Sequence, residues 1–205
     1  MMMKKAYAAF AMLAGAAGLG SAETGASGIG VTLHFDLDGD PFNSAEVLAG
    51  AEPVSWTVFA SFVAPDPTAY FGGFVGSFVP TGDEGGNVSN LTNLMSGEAR
   101  PAVVNGASVD NVNIFVSPVI QFPDFANPCA IFAFDYRAGA SAFPGPTTQV
   151  TYAGIGTASL FPDDNIFGFP IEFEDFAVVS DVLIVPGPGA AGVLAFGVLT
   201  TRRRR

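Results

Sequence analysis

Cysteine, histidine and lysine are scarce in this sequence, and their scarcity excludes several kinds of chemistry. The 205 residues include one cysteine, Cys129, and one histidine, His34. A single thiol cannot form an intramolecular disulfide, and one thiol with one imidazole cannot complete a four-ligand zinc site. No lysine follows Lys5, so the body lacks a Schiff-base amine and the lysine of a phosphate-binding loop. We therefore expect Cys129 to be a small buried hydrophobe and His34 to be a solvent-facing strand residue.

Basic residues are also few outside the two ends of the chain. All 19 acidic residues lie between Glu23 and Asp181, where Arg100 and Arg137 are the only bases. Nucleic-acid binding relies on Lys and Arg neutralising phosphates, so this charge pattern excludes nucleic acid as a partner. Such acidity is typical of extracellular proteins that meet divalent cations or high salt, and it also keeps an apolar surface soluble.

The N-terminus has the pattern of a secretory signal peptide. Two lysines precede an uncharged apolar stretch, and the small residues Gly20 and Ala22 precede Glu23. We predict a signal-peptide helix over residues 1–22, cleaved between Ala22 and Glu23.

The C-terminus carries a second apolar segment. Residues 189–201 have no charge, and four arginines close the chain: Arg202, Arg203, Arg204 and Arg205. A helix of about 13 residues is roughly 20 Å long, so this segment is a marginal span of a hydrocarbon core about 30 Å thick. The arginines would hold its end on the cytoplasmic side. Pro186 and Pro188 cannot donate to a sheet ladder, so we expect the last strand to end there.

Pro186, Gly187 and Pro188, followed by an apolar segment and terminal arginines, resemble the PEP-CTERM sorting signal of exported bacterial proteins. The resemblance covers residues 185–205, and Gly187 stands where that family usually has Glu. It implies recognition by a membrane protease of the exosortase type, transient membrane insertion, and delivery to the outer surface or the extracellular matrix. A variant sorting enzyme and a simple stop-transfer tail are the alternatives.

Residues 23–184, between these two ends, are predicted to be an all-β body. The chain has 20 Phe, 25 Gly and 15 Pro, and the runs "VTLHFDLD" and "VSWTVFASFV" alternate apolar with polar residues. Short alternating runs separated by turns such as "DGDP" and "APDP" predict an antiparallel β-sandwich of the jelly-roll type. We expect one long final strand over residues 171–185 with a bulge near Asp175, while residues 87–99 are the best helical candidate.

The body also resembles a group of exported bacterial proteins with the same tail. The resemblance rests on "SWTVFASF" followed by "AYFGGFVGSF". This resemblance implies the class of the protein and its location outside the cytoplasm, and it implies no activity.

Acidic clusters are the strongest sign of ligand binding in the body. Asp36, Asp38 and Asp40 alternate around Gly39 in "DLDGDP". Ca²⁺ takes six to eight oxygens, which spaced carboxylates and loop carbonyls can supply. We predict these three aspartates as a candidate structural calcium site, with plain solvated turns as the alternative. A second acidic cluster consists of Asp163, Asp164, Glu172, Glu174 and Asp175.

These observations predict an exported, non-enzymatic protein of the cell surface or extracellular matrix. We assign no catalytic residue and no cofactor beyond the candidate calcium. The expected partners are the export machinery, an exosortase-like protease and extracellular polysaccharide. A calcium- or carbohydrate-binding surface module is the first alternative. A secreted glycoside hydrolase using paired carboxylates is the second, although the sequence shows no cleft signature.

Overall fold

A computed structural model describes residues 28–50, 52–83, 85–95, 98–100, 102–116, 126–139, 147–165 and 168–186. All regular elements in these ranges are β-strands. The strands are β1 (Gly30–Asp36), β2 (Glu46–Leu48), β3 (Val54–Val63), β4 (Tyr70–Thr81), β5 (Asn87–Asn93), β6 (Glu98–Arg100), β7 (Val103–Asn105), β8 (Ser108–Phe115), β9 (Cys129–Arg137), β10 (Thr147–Phe161), β11 (Ile171–Phe173), β12 (Ala177–Ser180) and β13 (Val182–Pro186).

The strands form two sheets that pack face to face around one core. The smaller sheet has the order β12-β1-β3-β9-β5. The larger sheet has the order β2-β13-β10-β4-β8-β6, with β11 paired to β10 and β7 paired to β8. Neighbouring strands are antiparallel, except that β12 runs parallel to β1 and β2 runs parallel to β13. The predicted all-β sandwich of the jelly-roll type is confirmed, while the two predicted terminal helices lie outside the described residues.

Aromatic rings fill the core and join the two sheets. Trp56 and Phe134 of the smaller sheet contact Tyr152 of the larger sheet, with ring centroids 5.2 Å and 4.9 Å from it. All three side chains are almost fully buried, and burial of the Phe134 ring alone stabilises the fold by about 1.5–3 kcal/mol. The alternation predicted for β1 and β3 is confirmed, since Leu33 and Val58 point into this core. Cys129 is buried among the same side chains, as predicted.

Two glycines allow β4 and β10 to approach closely at the centre of the larger sheet. Gly76 lies opposite Gly156 in the register of these strands. A Cβ atom on Gly76 would collide with the carbonyl oxygen of Ile155, and one on Gly156 would collide with that of Val75. The side chains of Val75 and Ile155 themselves point away from the core, where they are exposed.

Two elements differ from the sequence-based expectation. The helical candidate over residues 87–99 contains β5, which pairs with β9, so pairing between distant strands overrides local propensity. The predicted long final strand is three strands, and the predicted bulge near Asp175 is a break between β11 and β12. The apolar phase shifts there because β11 pairs with β10, whereas β12 has crossed to β1 in the smaller sheet.

The last described strand, β13, continues through the buried Val185 to the exposed Pro186. The predicted boundary between body and tail after residue 184 remains a prediction. Within the described ranges, no helix has the length and apolar character that a membrane crossing requires.

Candidate functional site

The loop between β1 and β2 brings Asp36 and Asp38 together with Asp181. One carboxylate oxygen from each of these residues lies within 4.8 Å of the others. Asp40, the third residue of the predicted calcium site, is not part of this group, and its carboxylate accepts the Phe42 N–H at 3.2 Å. Two of the three predicted ligands therefore converge, and a different aspartate joins them.

Asp181 lies between β12 and β13, where the chain passes from one sheet to the other. It is buried, its Oδ2 accepts the Leu37 N–H at 2.7 Å, and its Oδ1 accepts the Ala45 N–H at 2.6 Å. The Asp181 N–H donates to the Phe35 carbonyl at 2.9 Å. One side chain thus holds both ends of the β1–β2 loop. Sequence analysis missed it, although a single aspartate inside the apolar run "VVSDVLIV" is the signal that could have indicated a buried carboxylate.

The pKa of the Asp36 carboxyl is raised above its ordinary value. Burial raises the pKa of the Asp36 carboxyl, the Gly39 N–H lowers it, and the negative charges of Asp181 and Asp38 raise it again. The Gly39 nitrogen lies 3.1 Å from both Asp36 oxygens. Three carboxylates this close repel one another, and a hard divalent cation would relieve that repulsion.

His34 is buried, and the prediction that it faces solvent is wrong. Only 6% of its surface is exposed, its ring meets that of Phe42 edge-on at 5.8 Å, and its Nε2 lies 2.7 Å from Ser61 Oγ. The β1–β2 loop carries Phe42 over the outer face of β1, which a strand pattern alone does not reveal. Burial lowers the pKa of His34, and the nearby polar backbone of Pro41 partly opposes that effect.

The outer face of the smaller sheet also has a polar network, formed by β3, β9 and β5. Asp135 on β9 accepts a hydrogen bond from Asn90 Nδ2 at 2.7 Å and a short one from the Ser55 hydroxyl. These two donors, Asn90 first, lower the pKa of Asp135. The polar groups of this network therefore bind one another.

The outer face of the larger sheet is different, because its centre has apolar and hydroxyl side chains and no charge. Val75 and Ile155 are 50% and 62% exposed and are diagonal neighbours in the register. The inward neighbours on β4, Phe74 and Phe78, are fully buried, so the strand alternates as a half-buried strand should. We call this surface the β4–β10 face, and its six central residues are Val75, Ser77, Val79, Ala153, Ile155 and Thr157.

A small cavity lies between β2 and the end of β9. Its volume is about 100 Å³, and its lining includes Ala49, Glu52, Tyr136 and Arg137. Sites for small molecules usually measure about 300–1,000 Å³. This cavity is therefore too small to enclose a sugar ring and its neighbours.

The predicted sorting and cleavage residues lie almost entirely outside the described residues. Pro186 ends β13 and is exposed. The others are Ala22, Glu23, Gly187, Pro188, Arg202, Arg203, Arg204 and Arg205. Their roles remain predictions.

Comparison with known proteins relates the fold to that of cohesins. A scan against protein-family models finds no match, and a search of curated proteins finds none either. The seventh ScaB type I cohesin of Pseudobacteroides cellulosolvens matches with a TM-score of 0.51 and 7% identity, over 77% of this chain and 93% of the cohesin chain. A chain of the Coh-OlpA–Doc918 type I cohesin–dockerin complex of Clostridium thermocellum matches with a TM-score of 0.50 and 9% identity, over 76% and 99% of the two chains. At these identities the likeness concerns the fold, and the β-sandwich of this chain is similar to that of a type I cohesin.

Proposed function

We propose that this protein is an exported, non-enzymatic interaction module of the cell envelope that docks a protein partner on the β4–β10 face. The observation that carries the proposal is the exposed, uncharged centre of that face around Val75 and Ile155. The core of a protein interface is typically depleted of charge, as the centre of this face is. The cohesin-like fold supports the proposal, because one chain with this fold was solved in a cohesin–dockerin complex.

Export and sorting are the second part of the proposal. The signal-peptide pattern of residues 1–22 would direct the chain out of the cytoplasm, and the tail of residues 185–205 would engage an exosortase-like protease in the membrane. The body would then be delivered to the outer surface or its polysaccharide matrix. Fractionation of the native host tests this part, and a full-length chain retained in the cytoplasm with both ends intact would overturn it.

The docking proposal is tested by replacing the centre of the face with a charge. Ile155→Asp places a carboxylate in the proposed interface core, where its desolvation opposes binding. Val63→Asp is the matched control, because Val63 is 61% exposed and ends β3 in the smaller sheet. Full-length wild type and both variants are immobilised and incubated with surface proteins of the native host, and the retained proteins are quantified by mass spectrometry.

We expect at least one surface protein to be retained by wild type and Val63→Asp and to be reduced about tenfold or more by Ile155→Asp. Retention that is equal on all three chains would contradict the assignment of this face. Thermal unfolding of both variants checks that the fold is unchanged.

Calcium binding is a second candidate function, favoured by the convergence of Asp36, Asp38 and Asp181 within 4.8 Å. Asp38 is exposed, so Asp38→Asn removes one ligand with little effect on packing. We expect Ca²⁺ at millimolar concentration to raise the Tm of the full-length wild type and not that of Asp38→Asn, with Mg²⁺ as the control. An unchanged wild-type Tm would dismiss this function. Carbohydrate binding and glycoside hydrolysis have no specific observation in their favour among the described residues.

A further inference from the structure

Acidic residues surround the uncharged β4–β10 face on three sides. Glu46 on β2 lies opposite Val182. Glu172 on β11 lies opposite Ser159, and because the neighbours of Ser159 in β10 are buried, Ser159 and Glu172 point outward. Asp110 on β8 follows the buried Val109 and therefore points outward. We call Glu46, Asp110 and Glu172 the acidic rim.

The acidic rim lies on three different strands around the centre of the face. β2 is the edge strand beyond β13, β11 flanks the far end of β10, and β8 lies on the other side of β4. Glu46 and Glu172 are exposed, and Asp110 is half-buried. On β6, the register places Arg100 opposite Asn113, beyond β8. A partner that covers the centre of the face would therefore bring its own periphery against these carboxylates.

We infer that the partner of the β4–β10 face is a protein surface with an apolar centre and lysine or arginine side chains around it. This inference rests on the proposed docking function and specifies the chemistry of the partner. Opposite charges at the rim of an interface accelerate association and exclude partners with the wrong charge. The whole body adds to this selectivity, since 19 acidic residues face two bases between Glu23 and Asp181 and create a long-range negative field.

The inference is tested on the surface protein whose retention depends on Ile155. That protein is produced in pure form and titrated against the full-length chain in about 50 mM and about 500 mM NaCl, where screening differs strongly. The rim variant combines Glu46→Gln, Asp110→Asn and Glu172→Gln. The control variant combines Asp40→Asn, Glu52→Gln and Asp66→Asn, which remove three exposed charges from the loops that follow β1, β2 and β3.

We expect the rim variant to raise the Kd about tenfold in low salt, mainly through slower association, and the control variant to change it by less than about twofold. The difference should shrink in high salt. A partner whose binding ignores both salt and the rim variant would overturn the basic-partner inference and leave the docking function in place. Failure to find any Ile155-dependent protein would overturn both.

Discussion

The outer faces of the two sheets arise from the same alternation of inward and outward side chains, but they differ in how far their side chains are covered. On the smaller sheet, outward polar groups find partners within the chain, as Asp135 does with Asn90 and Ser55. The β1–β2 loop also covers part of that face and buries His34. On the larger sheet, Val75 and Ile155 are exposed, and none of the loops in the described part of the chain buries them.

This difference shows that a strand pattern reveals two faces and does not reveal which of them is covered. Period-two alternation separates the side chains of each strand into two sets. A loop, a second protein or water can then cover the outward set. In the smaller sheet, the β1–β2 loop of the chain itself covers part of the outward set. In the larger sheet, we propose that a second protein covers it.

Gly76→Ala should give the largest effect, because it disrupts the larger sheet at its centre. A methyl group there would collide with the Ile155 carbonyl oxygen, so β4 and β10 would have to separate. We expect the free energy of unfolding to fall by about 3 kcal/mol, measured by denaturant titration. Gly50→Ala is the control, since Gly50 is exposed and a Cβ there meets no atom within 4 Å. Equal stability of the two variants would show that the close approach is not required.

Asp181→Ala should remove the cover of the smaller sheet. It leaves the N–H groups of Leu37 and Ala45 without their carboxylate acceptor, at a total cost of about 2 kcal/mol because both hydrogen bonds are only partly buried. As the loop loosens, the pKa of His34, which burial now lowers, should rise towards its ordinary value. Denaturant unfolding measures the first effect, and an NMR titration of the imidazole measures the second. If the variant loses stability while the His34 titration stays unchanged, the loop still covers the imidazole ring and this prediction is wrong. Asp175→Ala is the control for the loss of an exposed carboxylate.

Asp36→Asn should change stability in the opposite direction and by less. The folded state raises the pKa of Asp36, so it binds this proton more tightly than the unfolded chain does, and stability is lost as the pH rises through that pKa. Asn keeps an oxygen for the Gly39 N–H and has no charge. At pH 7 without Ca²⁺, we expect the variant to be more stable than wild type by up to about 1 kcal/mol, allowing for screening by water. The gap should close in acid, and a gap that is the same at both pH values would refute this reading.

Ser55→Ala should give the smallest effect, confined to the polar network of the smaller sheet. It removes one of the two donors that lower the pKa of Asp135, so that pKa should rise towards its ordinary value. The stabilisation from this carboxylate is present at neutral pH and is lost as the pH falls through its lowered pKa, so the variant should lose it at a higher pH than wild type. NMR titration of Asp135 measures the shift. Ser89→Ala is the control, since Ser89 lies opposite Asp135 in the register and its hydroxyl does not bind it.

Much of the fold could be predicted from local patterns, and the errors fall where distant segments meet. The alternation in "VTLHFDLD" and "VSWTVFASFV" correctly indicated the core positions Leu33, Trp56 and Val58. The final strand was misread because its three parts pair with different strands.

Only part of the candidate cation site was predicted, because its residues come from distant segments of the chain. Asp36 and Asp38 are close in sequence and were found. Asp181 was not, because only the pairing of β12 with β1, in which Phe35 lies opposite Ser180, brings it to that loop.

The sequence by itself determined the all-β class, the acidity of the body and the inward positions of its main strands, because composition and period-two alternation are local properties of the chain. Only the tertiary structure decided that Asp181 holds the β1–β2 loop, that His34 is buried and that Ile155 is exposed on an open sheet face. These outcomes depend on contacts between residues far apart in the chain, and burial is a property of the neighbours that pairing and packing bring together.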